Sequence, residues 1–210
     1  MQKKKKIVTL SAVAAVAAMV IAGSTIAYFT DTKEATNTFT MGNVSIKLDE
    51  TDIETGERTE EGNDYTNLEP GQTVTKDPIV YNTGSNDAYV RAIVTVEGWK
   101  TECAEYFPDA PACGEDGYED TLLYLVDELG EGWTIEGYEA ATEGSSVRFI
   151  LKYNSILSAD EQTPAVFDTV TIPSTMSNDE TFGNIIITGQ AIQTTGFDSW
   201  EDAFEAFDGQ

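Results

Sequence analysis

Polar and apolar positions alternate along several separate stretches of the chain, with the period of two that half-buried strands require. In residues 41–48, Val44, Ile46 and Leu48 share one face, while Asn43, Ser45 and Lys47 share the other. A Pro-Gly turn at Leu68-Glu69-Pro70-Gly71 precedes short strands predicted at Val74 and over residues 78–81. The clearest strand is Ala88–Val96, where Ala88, Val90, Ala92, Val94 and Val96 face one way. Arg91 falls on its other face with Tyr89, Ile93 and Thr95, a position suited to pairing a carboxylate across the sheet. Further strands are predicted over residues 133–138, 146–153, 166–172 and 184–193. Gly189, inside the last of these, marks a bulge or a close backbone approach.

Other stretches follow different periods. Residues 99–120 hold Pro108, Pro111 and two glycines, and read as an inserted loop. Over residues 119–129 the apolar positions 122, 123, 125, 126 and 129 are closer to helical spacing. The tail predicts a short helix with Asp198 or Ser199 as N-cap and Trp200, Ala203, Phe204 and Phe207 at i, i+3, i+4 and i+7. Residues 49–64 are nearly all polar and read as an exposed loop. Its acids Asp49, Asp52, Glu54 and Glu57 do not follow the spacing of an EF-hand. About eight short strands, turn signals between them and no strand–helix alternation predict an antiparallel β-sandwich with short peripheral helices. Jelly-roll and immunoglobulin-like topologies both satisfy this pattern.

The first 27 residues have a different character. Lys3–Lys6 form a basic start, residues 7–22 are apolar, and Thr25-Ile26-Ala27 places small residues at −3 and −1 of a cut after Ala27. This order predicts a cleavable secretory signal, with a retained membrane anchor as the alternative. The mature chain then begins at Tyr28. Residues 28–39 are aromatic at both ends and polar between, without alternation strong enough for a hairpin of their own.

Charge and cysteine content narrow the function. The chain has 12 Lys+Arg and 37 Asp+Glu, a net charge of −25. Four of the bases are Lys3–Lys6, so the mature part is more acidic still. Such a surface repels phosphate backbones and argues against nucleic-acid binding. There is no histidine. That excludes a Ser-His-Asp triad, a Cys-His pair and an HExxH zinc site, and no catalytic, cofactor-binding or metal residue is assigned. Cys103 and Cys113 fit one short-loop disulfide outside the cell, with a metal pair or two free thiols as alternatives.

Several stretches together resemble one family. GSTIAYFTDTKEATNTFTMGNVSI (residues 23–46) is similar to the signal-peptide junction of the TasA and camelysin proteins of Gram-positive bacteria. LEPGQTVTKDPIVYNTGSNDAYVRAIVTV (residues 68–96), FDTVTIP (residues 167–173) and ITGQAIQTTGF (residues 187–197) resemble the family's core and last strand. Residues 97–132, with both cysteines, have no counterpart in the resemblance.

The resemblance implies a jelly-roll β-sandwich over residues 42–210 with an insert around 97–132, preceded by a signal peptide (1–27) and a donor segment (28–41). It further implies export through a SipW-type signal peptidase. The product would be a non-enzymatic structural subunit of extracellular biofilm-matrix fibres, with itself and other matrix proteins as partners and no cofactor. In TasA-type fibres the freed N-terminus of one subunit completes the sheet of the next. Carried onto this chain, the donor strand is Tyr28, Phe29, Thr30 and Asp31 through Phe39. The alternatives are a segment that stays with its own subunit, a monomeric adhesin, and a camelysin-like metalloprotease.

Overall fold

A computed structural model describes residues 30–34, 37–40, 44–177 and 182–209 of the chain. The expected signal segment, its cut between Ala27 and Tyr28, and Phe29 lie outside these residues. Eleven strands are described: β1 (Thr30–Glu34), β2 (Asn37–Thr40), β3 (Ile46–Thr51), β4 (Arg58–Thr59), β5 (Thr73–Thr75), β6 (Ile79–Asn82), β7 (Ala88–Val96), β8 (Trp133–Ala140), β9 (Val147–Tyr153), β10 (Thr169–Thr171) and β11 (Ile185–Gln193). They form a six-stranded sheet in the order β2-β1-β11-β7-β9-β8, a three-stranded sheet β4-β3-β6 and a two-stranded sheet β10-β5. All the pairings are antiparallel. The protein is an all-β antiparallel sandwich, as expected.

The core lies between the large sheet and the smaller ones. Val90, Ala92 and Val94 of β7 and Phe149 and Leu151 of β9 form one buried cluster with Ile46 and Leu48 of β3 and Val80 of β6. Fully burying one such large side chain contributes roughly 1.5–3 kcal/mol. Gly189 of β11 sits where the layers come closest. A Cβ there would lie 3.3 Å from Ile46 Cδ1 and 3.4 Å from Leu48 Cδ1. The glycine therefore marks a close approach; the register shift in the large sheet falls elsewhere, at Ile135/Gly137 of β8.

The outer face of β7 and β11 is covered by α3 (Trp200–Asp208). Ser199 caps this helix, its side chain accepting from the Asp202 backbone N–H. Ala203 and Phe204 are buried against Ile192. The Trp200 ring nitrogen donates to the Val90 carbonyl at 2.9 Å. Arg91, on this covered face, does find its carboxylate: Asp208 takes both of its terminal nitrogens, at 2.6 and 2.8 Å. Phe204 and Phe207 lie under the guanidinium at 4.4 and 5.3 Å.

Three expectations need correcting. Of the strand expected over residues 41–48, residues 41–43 lie outside the described residues; the described part starts at Ile46 and runs past Leu48 to Thr51, where Asp49 and Glu50 are buried against cationic partners. The region read as an inserted loop contains α1 (Trp99–Tyr106), a 3-10 turn (Tyr118–Leu122) and α2 (Leu123–Val126). Gly98, at φ +80°, turns the chain into α1, which buries Trp99, Cys103 and Tyr106 at i, i+4 and i+7. The N-terminal segment also does make a hairpin: β1 pairs with β2, with Asp31 opposite Thr40 and Thr32 opposite Phe39.

Candidate assembly edge and adjoining cleft

β11 is an interior strand of unequal cover. On one side β7 pairs with all nine residues, from Ile185↔Val96 to Gln193↔Ala88. On the other side β1 pairs with four: Thr30↔Ile192, Asp31↔Ala191, Thr32↔Gln190 and Lys33↔Gly189. Among the described residues no strand pairs with residues 185–188 on that side. A strand edge left so presents unpaired backbone donors and acceptors. Ile186 in this stretch is 39% exposed, unusual for a large apolar side chain in a central strand.

A cleft of about 510 Å³ opens beside that stretch. Ile185, Ile186 and Ile187 line one wall, Leu48 and Val74 contribute apolar surface, and residues 59–66 form the opposite wall. The isoleucines are present because β11 is apolar on both faces there. The opposite wall is polar, yet fixed in place by charge.

Two linked networks hold it. Arg58 of β4 donates to Asp49 Oδ1 at 2.7 Å and to Asp77 Oδ2 at 2.7 Å, and also bonds the backbone carbonyls of both. Lys47 adds a second cation to Asp49 at 3.0 Å, and the hydrogen bond it donates to Asp49 raises the lysine's pKa. Deeper in, Lys76 Nζ donates to Glu50 Oε2 at 2.8 Å. The other oxygen of Glu50 accepts from Asn63 twice, through its backbone N–H and its Nδ2, each at 3.1 Å. Tyr65 donates its hydroxyl to the Thr75 carbonyl. Burial first, then the charges of Glu50 and Asp77, push its pKa up to about 12.

Of the donor-strand residues expected from sequence, Thr30 and Asp31 lie in β1 and Phe39 in β2, all on the hairpin of their own chain. Tyr28, Phe29 and Ala27 fall outside the described residues. The two cysteines are not bonded to each other: both are free, Cys103 buried and Cys113 half-buried. Burial raises the pKa of Cys103, and the hydrogen bond with Thr121 partly offsets this. Both thiols lie near Tyr118, whose own pKa is raised chiefly by burial.

Sequence reasoning missed Glu50, Asn63 and Lys76. A signal was present, since Glu50 continues the parity of Ile46 and Leu48 and so belongs to the inward face. Its partners are 13 and 26 residues away, beyond the reach of any periodicity.

Residues 2–101 match the family described as camelysin metallo-endopeptidase. Over these residues, just under half of the chain, the protein is similar to the camelysin/TasA family. The match ends three residues into α1 and covers the hairpin, β3 to β7 and the polar wall of the cleft. No curated protein and no solved structure matches the chain. The similarity suggests a secreted or surface protein, and among the described residues no helix is long and apolar enough to cross a membrane.

The family description implies a metal ion, and the described residues do not fit one. The chain has no histidine. Among the described residues no three His, Cys, Asp or Glu side chains form a group able to hold an ion. The carboxylates that converge beside the cleft, Asp49, Asp77 and Glu50, are already engaged by Arg58 and Lys76.

Proposed function

We propose that this protein is a secreted structural subunit of extracellular matrix fibres. The N-terminal segment of one copy would add to the β11 edge of the next, after a SipW-type signal peptidase has freed Tyr28. The observation that carries this reading is the unequal cover of β11: nine residues on the β7 side, four on the β1 side, and an apolar cleft beside the remainder.

The physical argument is one of exchange. An incoming extended segment that covers residues 185–192 satisfies more of the ladder than β1 does, and places side chains in the cleft. Each subunit then offers one strand and accepts another. A contact of this head-to-tail kind propagates as a filament unless its rotation closes a ring.

The test is electron microscopy of negatively stained protein beginning at Tyr28. Filaments are expected, and deletion of residues 28–39 should abolish them; identical filaments from the shortened protein would overturn strand addition. The monomeric reading is favoured by β1 lying on its own chain. It predicts a single sedimenting species at high concentration. A peptidase reading rests on the family description, and would be established by peptide cleavage that a chelator abolishes.

A further inference from the structure

Three side chains on the polar wall are arranged for chemistry that neither the family nor the fibre reading assigns. Glu50 is 5% exposed and Lys76 9% exposed. Glu50 places one carboxylate oxygen on the Lys76 amine, 2.8 Å away, and the other on the Asn63 side-chain amide nitrogen, 3.1 Å away. The orientation of that amide is determined by its partners. Its nitrogen faces two acceptors, Glu50 Oε1 and the Thr51 carbonyl at 2.8 Å, while its oxygen accepts from the Ile53 backbone N–H at 2.9 Å.

We propose that Lys76 and Asn63 join in an intramolecular amide cross-link, with Glu50 carrying the proton. Lys76 first gives a proton to the Glu50 carboxylate, becoming a neutral amine with a free electron pair. That pair attacks the Asn63 side-chain carbonyl carbon, forming the new C–N bond. Negative charge develops on Asn63 Oδ1, where the Ile53 N–H already donates. As the tetrahedral centre collapses, the original C–N bond breaks. The proton held by Glu50 and the one lost by the attacking nitrogen leave with the Asn63 nitrogen, as ammonium, and Glu50 is again a carboxylate. The balance is one protonated amine and one primary amide in, one secondary amide and one ammonium ion out, so the neutral protein is lighter by one ammonia. Nothing is oxidised or reduced, and no further reactant is needed.

Burial favours the step in two ways. Both charges of the Lys76–Glu50 pair have lost hydration, which reduces the advantage of the ion pair over neutral amine and neutral acid. The reacting groups are also held by the fold beside a shared carboxylate, which removes the entropic cost of bringing them together. The product would tie residue 63, in the wall of the cleft, to residue 76, just beyond β5.

The test is the intact mass of the purified folded protein, followed by fragmentation of its proteolytic peptides. The expected mass is lower than the sequence mass by one ammonia, with the peptide containing Asn63 linked to the peptide containing Lys76. Glu50→Gln and Lys76→Arg should each restore the full mass. Circular dichroism establishes that these variants are folded. A folded wild-type protein that keeps its full mass overturns the proposal, as does an ammonia loss without the linked peptide. Filament formation is not part of the readout, so this result stands apart from the fibre test.

Discussion

Arg91 and Asp208 meet across 117 residues of sequence, and their pairing has a definite pH signature. The hydrogen bonds from Arg91, with its charge, hold the Asp208 carboxyl below its usual value. A carboxylate lowered on folding stabilises the native state above the unfolded pKa, about 3.9. That gain is lost as pH falls through the lowered value. Asp208 is more than half exposed, so the effect is small. An acid titration of intrinsic fluorescence should show a step in the wild type that Asp208→Asn lacks; the same step in both would remove the pair as its cause. At Gly189 the effect is steric. A valine there would push its methyls into Ile46, Leu48 and Val80, which already stand 3.3 to 3.5 Å from a Cβ. Gly189→Val should lower stability by about 1–3 kcal/mol, read from the denaturant midpoint, and an unchanged midpoint would show that the layers can part.

Among the elements, β4 is the one most dependent on a single side chain. It has two residues, and Arg58 ties it to β3 and to the segment before β6. Arg58→Ala leaves Asp49, 2% exposed, with Lys47 as its remaining cation. The loss should be about 3 kcal/mol, the lower end for a broken buried pair because Arg58 itself is partly exposed. Hydrogen exchange should quicken through residues 52–66, and unchanged protection there would mean that the wall holds without it. The same contrast explains which elements could be read from the sequence. β7, β9, β11 and α3 follow clean periods, because each buries apolar side chains against a whole layer. The end of β3 was missed because its last acids are buried, Glu50 against Lys76, 26 residues away. α1 was missed for a different reason. Trp99, Cys103 and Tyr106 have helical spacing, but the helix is otherwise polar, and Pro108 and Pro111 drew the whole stretch towards a loop. The open edge of β11 was not legible, since no local pattern says which half of a strand lacks a neighbour.

For the whole molecule, charge sets the conditions of assembly. The chain carries a net −25. Like-charged subunits repel at distances beyond contact, and salt screens that repulsion. Filaments should therefore form faster as salt rises from about 0.01 M to 0.15 M, followed by light scattering. Assembly that slows with salt would point to ion pairs between subunits in place of backbone pairing. Order of arrival matters as well. The main sheet is built around β11, and β11 begins at Ile185, near the end of the chain. Its neighbours β1 and β7 emerge long before it during synthesis or passage through a membrane pore. Until β11 has emerged, the sheet is split and cannot close. Pairing so distant in sequence is slow to form, so in the proposed export the chain would stay threadable and its folding would be postponed to the far side.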